Sequence, residues 1–180
     1  MGKIFEQIDD ELASWIRDRE MFFVATAPLD GHGLINCSPK GLDSFRILNS
    51  TTVAYSDFNG SGIETAAHLK ENGRIVFLSC AFNGPRLVRL HGTGKYHELG
   101  TQDFDRLQSG FEIGVGIRGI VEVSLSRISD SCGYGVPKFE FVGQRDALVK
   151  YCDQKGEDGL ADYRREKNLT SIEGLPGFGS

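Results

Sequence analysis

Between Met21 and Val142 the sequence breaks into short apolar, β-branched runs punctuated by glycine, asparagine and proline. No stretch there keeps a helical period long enough for repeated crossover helices. The runs are Met21 to Ala27, Leu34 to Ser38, Phe45 to Leu48, Thr52 to Ser56, Ile75 to Phe82, Leu87 to Tyr96 and Ile120 to Leu125, with a shorter one at Phe139 to Val142. Asp30-Gly31-His32-Gly33, Asn49-Ser50 and Asn83-Gly84-Pro85 supply turns between them. Six or more strands joined by hairpins predict a mainly β fold, an antiparallel barrel or sandwich, and exclude a doubly wound parallel sheet. Glycine is the one unusual component: 23 of 180 residues, about 13% against roughly 7% in an average protein. Tight turns between strands account for it.

Helical spacing is confined to four places. Ile4, Phe5, Ile8, Leu12, Trp15 and Ile16 predict an amphipathic helix over residues 4 to 19. Ile63, Ala66, Ala67 and Leu69 predict another between Ser61 and Asn72, stopped by Asn72-Gly73. A short one is expected from Thr101, and Ala147, Leu148, Tyr151 and Cys152 share a face in the tail. The expected organisation is one domain over 1–180, with an N-terminal helix in 1–20 and a helical C-terminal tail in 144–180. A net charge of −5 without a strongly basic run speaks against nucleic acid as a partner. Cys37, Cys80, Cys132 and Cys152 form no C-x-x-C pair and stand in no zinc spacing to the four histidines, so free thiols and no metal are expected. An acidic N-terminus and the lack of any long uncharged apolar window predict a cytoplasmic protein without a membrane span.

The stretch Ser56-Asp57-Phe58-Asn59-Gly60-Ser61-Gly62-Ile63-Glu64-Thr65 carries the most chemistry. A strand runs into a glycine-flanked serine at a helix start, where free N–H groups and the helix dipole favour a phosphate. Ser61 and Glu64 also satisfy the S-x-x-E capping box, so a cap and an anion site are both open readings. Arg46, inside the apolar run Phe45-Arg46-Ile47-Leu48, faces either solvent or an anion in a cleft. Lys40 sits in the turn-like Ser38-Pro39-Lys40-Gly41. Arg89 and His91 share one face of a hairpin strand, and His91 is the only weak candidate for an acid or base. Cys132 follows Ser129-Asp130-Ser131 but has no local base to activate it.

Together, Asn36-Cys37-Ser38-Pro39-Lys40-Gly41, Phe45-Arg46-Ile47-Leu48, Tyr55-Ser56-Asp57, Gly60-Ser61-Gly62-Ile63-Glu64-Thr65, Gly84-Pro85-Arg86-Leu87-Val88-Arg89-Leu90-His91-Gly92 and Asp130-Ser131-Cys132-Gly133-Tyr134-Gly135-Val136-Pro137 resemble the FMN-binding branch of the pyridoxamine 5'-phosphate oxidase-like family. The resemblance spans roughly residues 5 to 178. It implies a six-stranded antiparallel split β-barrel with flanking helices, a homodimer, and FMN in the grooves between subunits. It further implies a cofactor-binding set of Lys40, Arg46, Ser56, Asn59, Ser61, Gly62 and Thr65. The basic S-R-K phosphate clamp of the oxidase itself reads Gly60-Ser61-Gly62 here, and its R-Q-V-R segment reads Arg86-Leu87-Val88-Arg89. Trp15 is the only tryptophan, so the oxidase's C-terminal tryptophan and arginine pattern is missing. The expectation is therefore an FMN-dependent oxidoreductase acting on an unidentified small molecule, with no catalytic side chain assigned. Alternatives are a flavin carrier without turnover, or a split barrel holding a deazaflavin or haem-derived ligand.

Overall fold

A computed structural model describes residues 2–111 and 116–179. The elements run β1 (Ile4–Phe5), α1 (Asp10–Arg17), β2 (Phe22–Thr26), β3 (Asn36–Lys40), β4 (Phe45–Asn49), β5 (Thr52–Phe58), α2 (Glu64–Glu71), β6 (Arg74–Cys80), β7 (Arg86–Glu98), α3 (Gln102–Gln108), β8 (Ile117–Cys132) and α4 (Ala147–Lys167). The strands form one antiparallel sheet in the order β3-β2-β6-β7-β8-β5-β4, with β1 paired to β8 off that path.

Chain connectivity forces this sheet to roll up. β3 and β4 lie at opposite ends of the order, six strand spacings apart, which in a flat sheet is about 29 Å. Only residues 41–44 link them, and that stretch spans at most about 18 Å fully extended. The sheet therefore curls into a barrel whose ends β3 and β4 are brought together without pairing. Within the linker Leu42 takes a left-handed φ of 55°, an uncommon conformation for a side chain branched beyond Cβ.

The barrel interior is an aromatic cluster of Phe22, Phe45, Tyr55 and Phe77, with ring centroids 5.0 to 5.9 Å apart at edge-to-face angles. Ile8, Leu12, Ala13 and Ile16 of the N-terminal segment pack against this core, together with Leu69 of α2. A second cluster holds α3 to the outside, through Phe104, Leu107, Phe111, Ile117 and Ile120 against Ala54. β5 is consequently buried on both faces, from Val53 through Asp57, which suits the consecutive apolar Val53, Ala54 and Tyr55.

Several boundaries depart from expectation. The predicted helix over 4–19 begins only at Asp10, because Asp9 caps it by accepting from Leu12 N at 2.8 Å. Ile4 and Phe5 instead pair with Ser129 and Ile128 of β8. β3 runs through Lys40, which is thus a strand residue and not a turn residue. β8 is 16 residues long and pairs with β1, β5 and β7, far beyond the predicted Ile120 to Leu125. The predicted strand at Phe139 to Val142 has no regular structure. Among the described residues the sheet has eight strands, two-residue β1 included, against the six expected. The class is as expected: mainly antiparallel β with flanking helices, of the split-barrel type.

Candidate functional site

β5 ends where β8 begins, and this junction buries an ion cluster. Asp57 on β5 pairs with Gly119 of β8, bringing the next residue, Arg118, alongside its carboxylate. Arg118 Nε donates to Asp57 Oδ2 at 2.8 Å, and Lys40 Nζ on β3 donates to Oδ1 at 3.2 Å. Tyr96 on β7 donates its hydroxyl to Oδ2 at 3.3 Å. Gly119 makes this possible, since a Cβ there would collide with the Tyr96 ring. Asp57 is 1% exposed and Arg118 5%. Burial pushes the Asp57 carboxyl up, but the charges and hydrogen bonds of Arg118 and Lys40 outweigh it and hold the group below the usual carboxylate range. Burial, reinforced by the Asp57 charge, pushes the Tyr96 hydroxyl well above its ordinary value, so it remains a donor. Two cations against one buried carboxylate leave a local excess of one positive charge.

Lys40 and Arg118 face a cleft of about 1380 Å³, ample against the roughly 300–1,000 Å³ of a typical small-molecule site. Its lining includes Asn36, Ser38, Asn59, Gly60, Gly62 and Thr65 on the polar side of the chemistry and Phe58, Phe82, Phe139, Phe141 and Leu148 on the apolar side. The segment carrying Phe139 and Phe141 forms part of the wall. It is tied down by Phe139 against Phe82 at 5.4 Å, and by Gln144, which accepts from Leu42 N at 3.1 Å and donates to Glu20 O at 2.9 Å.

The start of α2 lines the cleft through Gly62, Glu64 and Thr65. Its N-cap is Ile63, with no side-chain cap bond, so the capping box expected of Ser61 and Glu64 does not form. Ser61 is exposed, and the Glu64 carboxylate folds back over Gly62. The chain thus sets its own anion at a helix start that invites one. Deeper in, Thr65 Oγ1 accepts from Asn36 Nδ2 at 2.8 Å, and Ser38 Oγ donates to Asn36 Oδ1 at 3.2 Å.

Of the seven residues expected at a cofactor site, Lys40, Asn59, Gly62 and Thr65 line this cleft. Ser56 is buried beneath it, its N–H bonded to Ser44 O at 2.9 Å. Ser61 and Arg46 are not among the lining residues. Arg46 binds Asp43 through two nitrogens, at 2.8 and 2.7 Å, and Gly110 O at 2.7 Å. His91 lies on the outer face of the barrel with Arg89, beside Phe23, Ala25 and Cys37. Burial and the charges of Arg127 and Arg89 lower its pKa, so it stands neutral there. Cys132 ends β8, exposed and opposite Arg86. No cluster of three or more metal-ligating residues occurs among the described residues, and no described helix is long and apolar enough to cross a membrane.

Arg118 and Asp57 were missed as site residues by sequence reasoning. The signal existed: Arg118 stands between apolar and glycine residues in Ile117-Arg118-Gly119-Ile120, the same kind of placement that singled out Arg46.

No family profile matches the chain. A protein of Aspergillus flavus named pyridoxamine 5'-phosphate oxidase family protein ustO is 35% identical over 200 aligned positions, which take in all of this chain and 79% of that protein. Among solved structures, HupZ of Group A Streptococcus superposes with a TM-score of 0.53 at 22% identity, covering 67% of this chain and 91% of its own. A putative pyridoxamine 5'-phosphate oxidase of Lactobacillus delbrueckii also gives 0.53, at 15% identity over 70% of this chain and 98% of its own. These structures share the fold.

Proposed function

Since the chain belongs to the pyridoxamine 5'-phosphate oxidase family, we propose that it is a flavoprotein that binds FMN in the Lys40–Arg118 cleft and acts as an oxidoreductase on a small molecule. The observation that carries this reading is the meeting of two chemistries in one cleft. Two cations and an uncapped helix start border it together with four phenylalanine side chains. A phosphate monoester carried on a planar ring system suits that combination. Lys40, Arg118 and the N–H groups near Gly62 would hold the phosphate, with Asn59 and Thr65 beside it. Phe58, Phe82, Phe139 and Phe141 would shield the ring from water. Arg46 reaches the phosphate only by exchanging Asp43 for it. The flavin itself supplies the redox chemistry when bound.

A second reading, a flavin carrier without turnover, draws on one observation: no histidine or cysteine is among the residues lining the cleft. We propose further that the protein is a homodimer. Leu34, Ile35, Leu169 and Ile172 are all exposed, and Leu34 N–H ties the first pair's segment to the tail by donating to Glu173 Oε1 at 3.1 Å. Such a patch suits burial against a second copy. Titration with FMN tests the cofactor. Flavin bands near roughly 370 and 450 nm that stay with the protein through gel filtration support it. Failure to take up FMN at micromolar concentration overturns it. Repeated reduction and reoxidation of the bound flavin with a small substrate marks the oxidoreductase, and release of unchanged flavin marks the carrier. Light scattering at twice 19.8 kDa supports the dimer, and a value at the chain mass rejects it.

A further inference from the structure

The tail after α4 does not trail into solvent. Asn168 is 0% exposed, and its side chain spends both ends on Arg118 and the Gly60–Ser61 turn beside the cleft. Oδ1 accepts from Arg118 Nη1 at 3.0 Å, while Nδ2 donates to Gly60 O at 2.9 Å and to Ser61 O at 3.4 Å. Arg118 Nη1 also donates to Gly60 O, at 3.0 Å. The segment beyond is clamped in turn. Phe178 N–H donates to Asn168 O at 2.7 Å, Glu173 faces the buried His68 Nε2 at 3.7 Å, and Lys70 holds Gly177 O.

We propose that Asn168 is a positioning residue for the anion site, turning the Gly60–Gly62 backbone and the Arg118 guanidinium toward a phosphate ester in the cleft. The inference rests on the flavin reading above and names a residue outside the cleft lining as part of its machinery. The physical reason lies in the peptide plane. In a trans peptide the carbonyl of one residue and the N–H of the next point in opposite directions, and the described chain has no cis bonds. Drawing the Gly60 and Ser61 carbonyls onto Asn168 therefore aims the N–H groups of Ser61 and Gly62 away from the tail. Gly60, Gly62 and Arg118 line the cleft, whereas Asn168 does not, so the amide sits behind the turn. Left unheld, those two carbonyls would be free to face the cleft, where they repel an anion. Asn168 also occupies Arg118 Nη1. With Nε given to Asp57, Nη2 is left without a hydrogen-bond partner among the described residues. An alanine or an aspartate at this position removes the donor to both carbonyls, and aspartate keeps the shape and the acceptor for Arg118.

The test compares FMN with riboflavin, which lacks only the phosphate, on the full chain carrying Asn168→Ala or Asn168→Asp. Binding is read by quenching of flavin fluorescence, well below the melting temperature of each variant. Thr170→Ser, at an exposed position of the tail, serves as the control. Both Asn168 variants are expected to lose at least tenfold in FMN affinity while riboflavin shifts less than twofold, with Thr170→Ser unchanged on both. If Asn168→Ala does not fold, the isosteric Asn168→Asp decides. Equal weakening of both ligands means a merely structural role and overturns the inference, as does an unchanged FMN affinity. In those two outcomes the wild type still prefers FMN, so the flavin reading stands. A wild type with no preference for FMN over riboflavin overturns both.

Discussion

Replacing Asp57 by asparagine should be among the most damaging single-atom changes available in this fold. The carboxylate is 1% exposed and serves Lys40 at 3.2 Å, Arg118 at 2.8 Å and Tyr96 at 3.3 Å. Asparagine keeps the shape and one acceptor oxygen, but it removes the charge and turns an amide NH2 group toward one of these donors. Arg118, 5% exposed, then stays charged with its counter-ion gone, a situation that costs about 3–5 kcal/mol. Lys40 adds little to this, because its partly exposed side chain can turn to water. Urea unfolding by linear extrapolation, at one fixed protein concentration, measures the difference. Asp57→Asn combined with Arg118→Met should recover much of the loss, because no buried charge is then left alone. The sign of the pH dependence follows from the lowered pKa of Asp57. Its contribution is fully present above the unfolded carboxyl value of about 3.9 and fades as pH falls through the lower folded value. The gap between wild type and Asp57→Asn should therefore be constant near neutrality and narrow below about pH 4. A loss under about 1 kcal/mol at pH 7 would refute the claim that Asp57 compensates the buried arginine.

Three further substitutions probe the same end of the barrel. Ser61→Ala should change stability by no more than about 0.5 kcal/mol in thermal unfolding, because Ser61 is exposed and caps nothing; a loss above about 1 kcal/mol would reinstate the cap. Gly119→Ala should cost about 1–3 kcal/mol, seen as a Tm lower by several degrees, since the new methyl group must displace the Tyr96 ring. Glu64→Gln should tighten FMN binding about two- to fivefold by calorimetry, because it removes an anion held over Gly62 at the helix start, an effect of about 0.3–1 kcal/mol.

Strand runs were legible because each carries its pattern locally. Phe22, Val24 and Thr26 point inward and Phe23 and Ala25 outward, the period of two that Met21 to Ala27 half conceals. β8 was not legible beyond Leu125, because Ser126, Arg127, Ser129 and Asp130 read as loop until β1 and β7 pair with them. The segment Phe139 to Val142 has strand composition but pairs with no strand, and composition alone cannot supply a partner. The site divides in the same way. Gly62 and Thr65 could be found because they stand on one strand–turn–helix unit, and the family resemblance added Lys40 and Asn59. Asp57 and Arg118 meet only through the β5–β8 register, 61 positions apart, and Asn168 arrives from a tail with no period at all.

The most direct test of the central claim is a crystal structure of the protein with FMN bound. The phosphate oxygens should lie within about 2.7–3.2 Å of Lys40 Nζ and of the N–H groups around Gly62. Arg118 should approach the same oxygens, with the ring between Phe58 and the Phe139–Phe141 segment and the Glu64 carboxylate displaced from Gly62. A phosphate seated elsewhere, with Lys40 and Arg118 still engaged only by groups of the protein and the cleft empty of flavin, would contradict the account.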